Sequence, residues 1–174
     1  MFFNIGTKSE DGKALIHEYG GFRHPYTMEI LQYELDRMAG KLSKEELHDK
    51  MDSMDVFSFA ITKVPKALKK LCSEFDISLE NVDQLVLHQA NKMIVEAIAK
   101  RMKIPAEKVI LGMRNYGNTT SASIPLAIVS EKADAYSKSR QRSLVCGFGT
   151  GLSWGAAYFE TQNIVIPEVI VYQK

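Results

Sequence analysis

The stretch that decides the fold is DQLVLHQANKMIVEAIAKRM, Asp83–Met102. Gln84–His88 is a short apolar run bounded by polar residues, which predicts a buried strand. Asn91–Met102 carries Ile94, Ala97, Ile98 and Arg101 on one side, which predicts a helix. Between the two stand a histidine and two amides, His88, Gln89 and Asn91, where a strand hands over to a helix. Outward from this unit the pattern repeats. VILGM (109–113) is predicted to be a second strand. RNYGNTTSAS (114–123) puts Asn118 in a Gly-containing turn before a further helix. SLVCGFG (143–149) is predicted to be a third strand, and GTGLSWG leads through a glycine turn into an antiparallel return, GAAYFET (155–161). Strand–helix–strand–helix–strand–turn–strand predicts an α/β fold, with a mixed, mostly parallel sheet and helices on both faces. In such sheets polar ligand groups collect at the carboxyl ends of the strands. His88, Asn118 and the glycine turn all follow strand ends, so the three are expected to converge on one edge.

The remaining segments frame that core. FFNIG and ALIHEYG predict short strands around a turn containing Asp11-Gly12. Residues 28–50 are polar and predict helix in pieces, with a break at Gly40. Asp55–Phe75 has a clear helical stripe of Val56, Phe59, Ala60, Val64, Ala67, Leu68, Leu71, Cys72 and Phe75, and Pro65 within it predicts a kink or a restart. SASIPLAIVS (121–130) is small or apolar on nearly every side, so its helix is expected to be buried all round. The tail NIVIPEVIVYQK is alternating and β-branched, which suits one further strand.

The chain has 174 residues and a formal net charge of +1, enough for one domain with a core. No strong field draws it to nucleic acid or membrane. No apolar run reaches the roughly 18 residues of a membrane span, and the start has none of the parts of a signal peptide. Two cysteines make neither a disulfide framework nor a metal-site spacing, so no metal and a reducing, cytoplasmic setting are expected. Cys72 lies on an apolar helical stripe and Cys146 lies mid-strand. Both are expected to be inert, because a thiol in apolar surroundings keeps a raised pKa. No G-x-S-x-G elbow offers a serine nucleophile instead. The polar groups therefore fit a carbonyl-binding pocket with no nucleophile of its own.

LHQANKMIVEAIAKRMKIPAEKV, RNYGNTTSASIPLAI and CGFGTGLSWGAAYF together resemble the C-terminal half of 3-oxoacyl-acyl-carrier-protein synthase III, a condensing enzyme with the thiolase fold. The resemblance implies one thiolase-like domain over residues 1–160 and an extension over 161–174. It implies acyl-CoA and malonyl-acyl-carrier-protein as substrates, joined with decarboxylation, and no bound cofactor. By the same resemblance His88 and Asn118 bind the malonyl thioester carbonyl, and the loop Gly149, Thr150, Gly151 serves a second oxyanion hole. Gln89, Asn91, Lys92 and Arg101 become candidate contacts for substrate or carrier protein, although Met93 stands where many relatives have an arginine implicated in docking. The family's nucleophilic cysteine lies in an N-terminal half that this chain lacks, so the chain alone is expected to be inactive, as a fragment, a truncated product or a split-gene subunit. Expected partners are that N-terminal half, acyl carrier protein, and a second copy in a homodimer, since the apolar helix after Ser121 would otherwise expose a patch of roughly several hundred Å². Polyketide or quinolone starter chemistry on the same scaffold, or a non-enzymatic partner role, are the alternatives. Acyl chain length is outside what these residues encode.

Overall fold

The computed structural model describes residues 1–41, 49–170 and 172. Its strands are β1 (Phe2–Thr7), β2 (Leu15–His17), β3 (Asp49–Met51), β4 (Gln84–Leu87), β5 (Gln141–Gly149) and β6 (Ser153–Thr161). Its helices are α1 (Met28–Met38), α2 (Ser53–Glu74), α3 (Lys92–Met102), α4 (Met113–Tyr116) and α5 (Ser123–Lys138). The main sheet runs β1-β6-β5-β4, and β2 and β3 form a separate antiparallel pair. The α/β class with a mixed sheet holds. The expectation of mostly parallel pairing does not: β4–β5 is parallel, whereas β5–β6 and β1–β6 are antiparallel. The reason is local. A three-residue turn over Thr150–Leu152 folds β6 straight back onto β5, and such a turn can join only antiparallel strands.

The segment VILGM is not a strand. Val109 makes a single parallel bridge to Leu85, and the Ile110 N–H donates to the Leu85 carbonyl at 3.1 Å. Beyond that point the ladder passes from backbone to a side chain. The Gln89 amide nitrogen donates to the Leu87 carbonyl at 2.7 Å and to the Ile110 carbonyl at 3.3 Å, while its oxygen accepts the Gly112 N–H at 2.9 Å. One buried glutamine thus links two segments whose backbones no longer pair.

Helices cover both faces. On one, α2 and α3 bury Val64, Leu68, Leu71, Val95 and Ile98 against Leu85, Leu87, Leu144 and Cys146. Each fully buried leucine there stabilises the fold by roughly 1.5–3 kcal/mol relative to exposure. Asp52 caps α2, accepting the N–H groups of Met54 and Asp55 at 3.0 and 2.9 Å. The helix runs unbroken through Pro65, so the expected restart is absent. Pro65 is buried against the core, and packing outweighs the lost N–H. On the other face α5 packs Ala127 and Tyr136 over Val86 and Ile110. It is not buried all round: Ser123, Ala127 and Tyr136 are buried, Pro125 is exposed, and Ile124, Leu126, Ile128 and Val129 are half-buried. Among the described residues, one sheet face and a short piece of the tail pack on this helix, which leaves much of its apolar surface only half-buried.

At the start of the sheet the Asp83 carboxylate grips Arg142 through Nε at 2.9 Å, through a terminal guanidinium nitrogen at 3.0 Å, and through its backbone N–H at 2.9 Å. This clamp sets the register of β4 on β5, and the Arg142 hydrogen bond holds the Asp83 pKa below the usual carboxylate range. The helix expected before Gly40 is α1, while its continuation over 42–48 falls outside the described residues. The described tail residues, 162–170 and 172, lie in no strand. The Ile164 N–H donates to the Tyr136 carbonyl at 3.3 Å and Ile166 packs beside α5, so this part of the tail is held by the helix rather than by a sheet edge.

Candidate functional site

Because β4 and β5 run parallel, their carboxyl ends open on the same edge of the sheet. A cleft of about 820 Å³ lies there, and His88, Asn118, Ser123, Phe148, Gly149 and Thr150 are among its walls. Leu15, Met51 and Ser53 close it from the β2–β3 side.

His88 continues β4 by one residue. Its backbone N–H donates to the Cys146 carbonyl at 2.9 Å, which fixes its Cα on the parallel ladder. Its Nδ1 lies 2.8 Å from Ser123 Oγ, and the Phe148 ring meets the imidazole edge-on, 5.4 Å between centroids and 83° between planes. Burial lowers the His88 pKa, and the nearby Thr120 carbonyl opposes that effect. Lowered from an ordinary value near 6.5, the ring is neutral at pH 7.

Asn118 is held by its own turn. Gly117 has φ +65° and ψ −153°, a conformation that essentially requires glycine, and Thr120 has φ +52°. Asn118 Oδ1 accepts the Thr120 N–H at 2.9 Å. With its oxygen so occupied, and its Nδ2 without a hydrogen bond to the described residues, the amide has a donor to spare. The site therefore brings together a neutral imidazole and a carboxamide N–H, which is a set of donors for an oxygen that gains charge.

Gly149 and Thr150 lie on the cleft wall, as expected for the loop, but Gly151 does not. Gly151 serves the turn: its φ of +128° is closed to other residues. The remaining candidates separate from the site. Gln89 is 2 % exposed, with its amide spent on three backbone groups, so it has no polar atom left for a substrate. Asn91 caps α3, accepting the Ile94 N–H at 2.8 Å. Lys92 faces Glu96 one turn on, at 3.7 Å on the exposed side of α3. Arg101 borders a different cleft, with Lys66 and Lys69 between α2 and α3. Two wall residues that meet the His88 ring were not singled out from sequence. Ser123 stands five residues after Asn118 at the first position of a helix, and Phe148 is a large residue set between two glycines. Those placements are the signals that could have found them.

Neither cysteine lines the cleft. Both are buried, and burial raises both thiol pKa values, that of Cys146 to about 12. At pH 8 the native chain is therefore expected to react with iodoacetamide far more slowly than the same chain in denaturant, and to take no acyl group from acetyl-CoA. Intact-mass spectrometry checks both, and rapid acylation of either thiol would put a nucleophile back into this chain. Among the described residues no cluster of His, Cys, Asp or Glu could hold a metal ion, and no helix is long and apolar enough to cross a membrane.

Comparison with known proteins adds to this geometry. Residues 72–161 match the family described as 3-oxoacyl-[acyl-carrier-protein (ACP)] synthase III C terminal. The beta-ketoacyl-[acyl-carrier-protein] synthase III of Acaryochloris marina is 45% identical over 113 residues, which are 65% of this chain and 34% of that protein. The Trichodesmium erythraeum protein of the same name is 46% identical over 110 residues, 63% of this chain and 33% of its own length. The chain thus spans about a third of the length of the curated relatives it matches. Among solved structures, a 3-oxoacyl-(acyl-carrier protein) synthase from Burkholderia xenovorans LB400 superposes with a TM-score of 0.79 at 32% identity, covering 96% of this chain and 46% of that one. The synthase III of Pseudomonas aeruginosa PAO1 gives 0.73 at 25% identity, covering 94% and 44%.

Proposed function

The chain belongs to the 3-oxoacyl-[acyl-carrier-protein] synthase III family through its C-terminal domain, and from that membership and the cleft we propose that it supplies the decarboxylating half of a condensing site. The observation that carries the reading is the sharing of one cleft by His88 and Asn118, two side chains able to donate at one sheet edge. In the proposed reaction an acyl group arrives from acyl-CoA and rests as a thioester on a cysteine of the N-terminal half. The malonyl thioester of acyl carrier protein then enters the cleft. Its C–C bond to the carboxylate breaks, CO2 leaves, and the electron pair moves onto the thioester oxygen. His88 and Asn118 donate hydrogen bonds to that oxygen. Charge builds there only in the transition state, so donors already in place lower this barrier selectively. The enolate carbon attacks the acyl thioester and the cysteine thiolate departs. Backbone N–H groups of the Gly149–Thr150 wall are the proposed donors for the second oxyanion.

The same reading assigns a cover to α5. Its half-buried apolar residues pack against the N-terminal half, and the assembled enzyme pairs as a dimer. Two buried thiols suit a reducing, cytoplasmic setting. The test is reconstitution. This chain is mixed with the N-terminal half of a close relative, and CO2 release from malonyl-acyl-carrier-protein is followed. The chain alone is expected to be inert and the mixture active. A relative's N-terminal half that works with its own C-terminal half, but never with this chain, would reject the assignment.

A further inference from the structure

Ser123 Oγ lies between two groups that both approach it. The Gln89 backbone N–H donates to it at 3.3 Å, and His88 Nδ1 stands 2.8 Å away. Ser123 is 2 % exposed. A hydroxyl has one proton to give and two lone pairs to receive. Gln89 occupies one lone pair. If Nδ1 carried the ring proton it would occupy the other, and the hydroxyl proton would have no acceptor among the described residues. Buried polar groups are nearly always bonded, so that arrangement is disfavoured. With Nδ1 bare the chain closes: Gln89 N–H to Oγ, then Oγ–H to Nδ1.

We propose that Ser123 is a positioning residue that holds neutral His88 in the tautomer with its proton on Nε2. Its functional meaning rests on the carbonyl-binding role proposed above. In this tautomer Nε2–H is the ring's donor, and the ring is prepared for a thioester oxygen before any substrate arrives. The other tautomer would put the donor on Nδ1 and leave Nε2 with a lone pair, which repels an enolate oxygen. Ser123 opens α5 directly after the turn that holds Asn118, so one helix entry places both donors. The competing acceptor is the Thr120 carbonyl beside the ring, which favours a proton on whichever nitrogen faces it.

Two-bond ¹H–¹⁵N correlation spectra of the 174-residue chain, with His88 assigned from His88→Gln, decide between them. At a pH above the His88 pKa, Nδ1 is expected to be pyridine-like and Nε2 pyrrole-like. In Ser123→Ala the Nδ1–H form should gain about fivefold relative to Nε2–H, the shift that one neutral hydrogen bond typically sets. Ser123→Thr keeps the hydroxyl and should restore the parent ratio. A pyrrole-like Nδ1 in the parent chain overturns the proposal, and so does an unchanged ratio in a folded Ser123→Ala. Should that variant fail to fold, the parent spectrum alone still decides. No substrate is present in the measurement. A failed decarboxylation assay beside a pyridine-like Nδ1 would therefore reject the malonyl reading and leave the tautomer assignment standing.

Discussion

His88→Ala and Asn118→Ala should each slow malonyl decarboxylation by roughly 10²–10³-fold in the reconstituted enzyme, the usual cost of one lost oxyanion donor. The size follows from what each donor faces. A neutral imidazole and a carboxamide N–H on one cleft contribute little to binding an uncharged thioester, and much to stabilising the same oxygen once it carries charge. Loading of the N-terminal cysteine by acyl-CoA should stay largely intact, because that step builds charge on a different oxygen. The double variant should lose less than the product of the single losses, since in the proposed reaction the two donors serve one atom. Folding should survive both changes: Asn118 is exposed, and His88 gives up one side-chain hydrogen bond to Ser123. Single-turnover CO2 release, run beside intact-mass measurement of acyl loading, separates the two steps. If decarboxylation proceeds at the parent rate in either variant, the carbonyl-binding role is wrong for that residue.

The second large effect is on stability. Gln89→Ala should destabilise the fold by about 3 kcal/mol, with little change in the chemistry of any cleft that still forms. The side chain satisfies Leu87 O, Ile110 O and Gly112 N–H, and each buried partner left unpaired costs about 1–3 kcal/mol. Removing it also cuts the link between the end of β4 and the 110–112 segment, which leads into the turn carrying Asn118. Gln89→Glu should be worse near neutral pH, because two carbonyls would then face a buried carboxylate with no proton to share. Lowering the pH protonates that carboxyl and should recover part of the loss, the direction expected for an acid whose charged form is penalised by burial. Urea denaturation of the three proteins at pH 7 and pH 5 gives the comparison. A Gln89→Ala variant as stable as the parent but weak toward substrate would restore the substrate-contact role that the buried amide argues against.

Periodicity and residue type were enough to find α2, α3, β4, β5 and β6, because burying an apolar face is a local requirement written at spacings of two or of three and four. They also led to His88, Asn118 and the glycine turn as candidates for one edge, and His88, Asn118, Gly149 and Thr150 do line one cleft, although the segment before Asn118 makes a single bridge rather than a strand. The expectation of two inert thiols came from the same neighbours that bury them. What tertiary structure decided was where polar side chains spend their hydrogen bonds. Gln89 and Asn91 looked like site residues because amides at a strand end suit a ligand equally well. One instead spans to residues 110 and 112 and the other caps its own helix. Ser123 reaches His88 across 35 positions. Val109 stops at one bridge because a side chain, not a strand, takes up the pairing beyond it. Apolar burial repeats along the chain and can be read from it. A hydrogen bond needs a partner at about 3 Å, and for partners distant in sequence only the folded chain sets that distance.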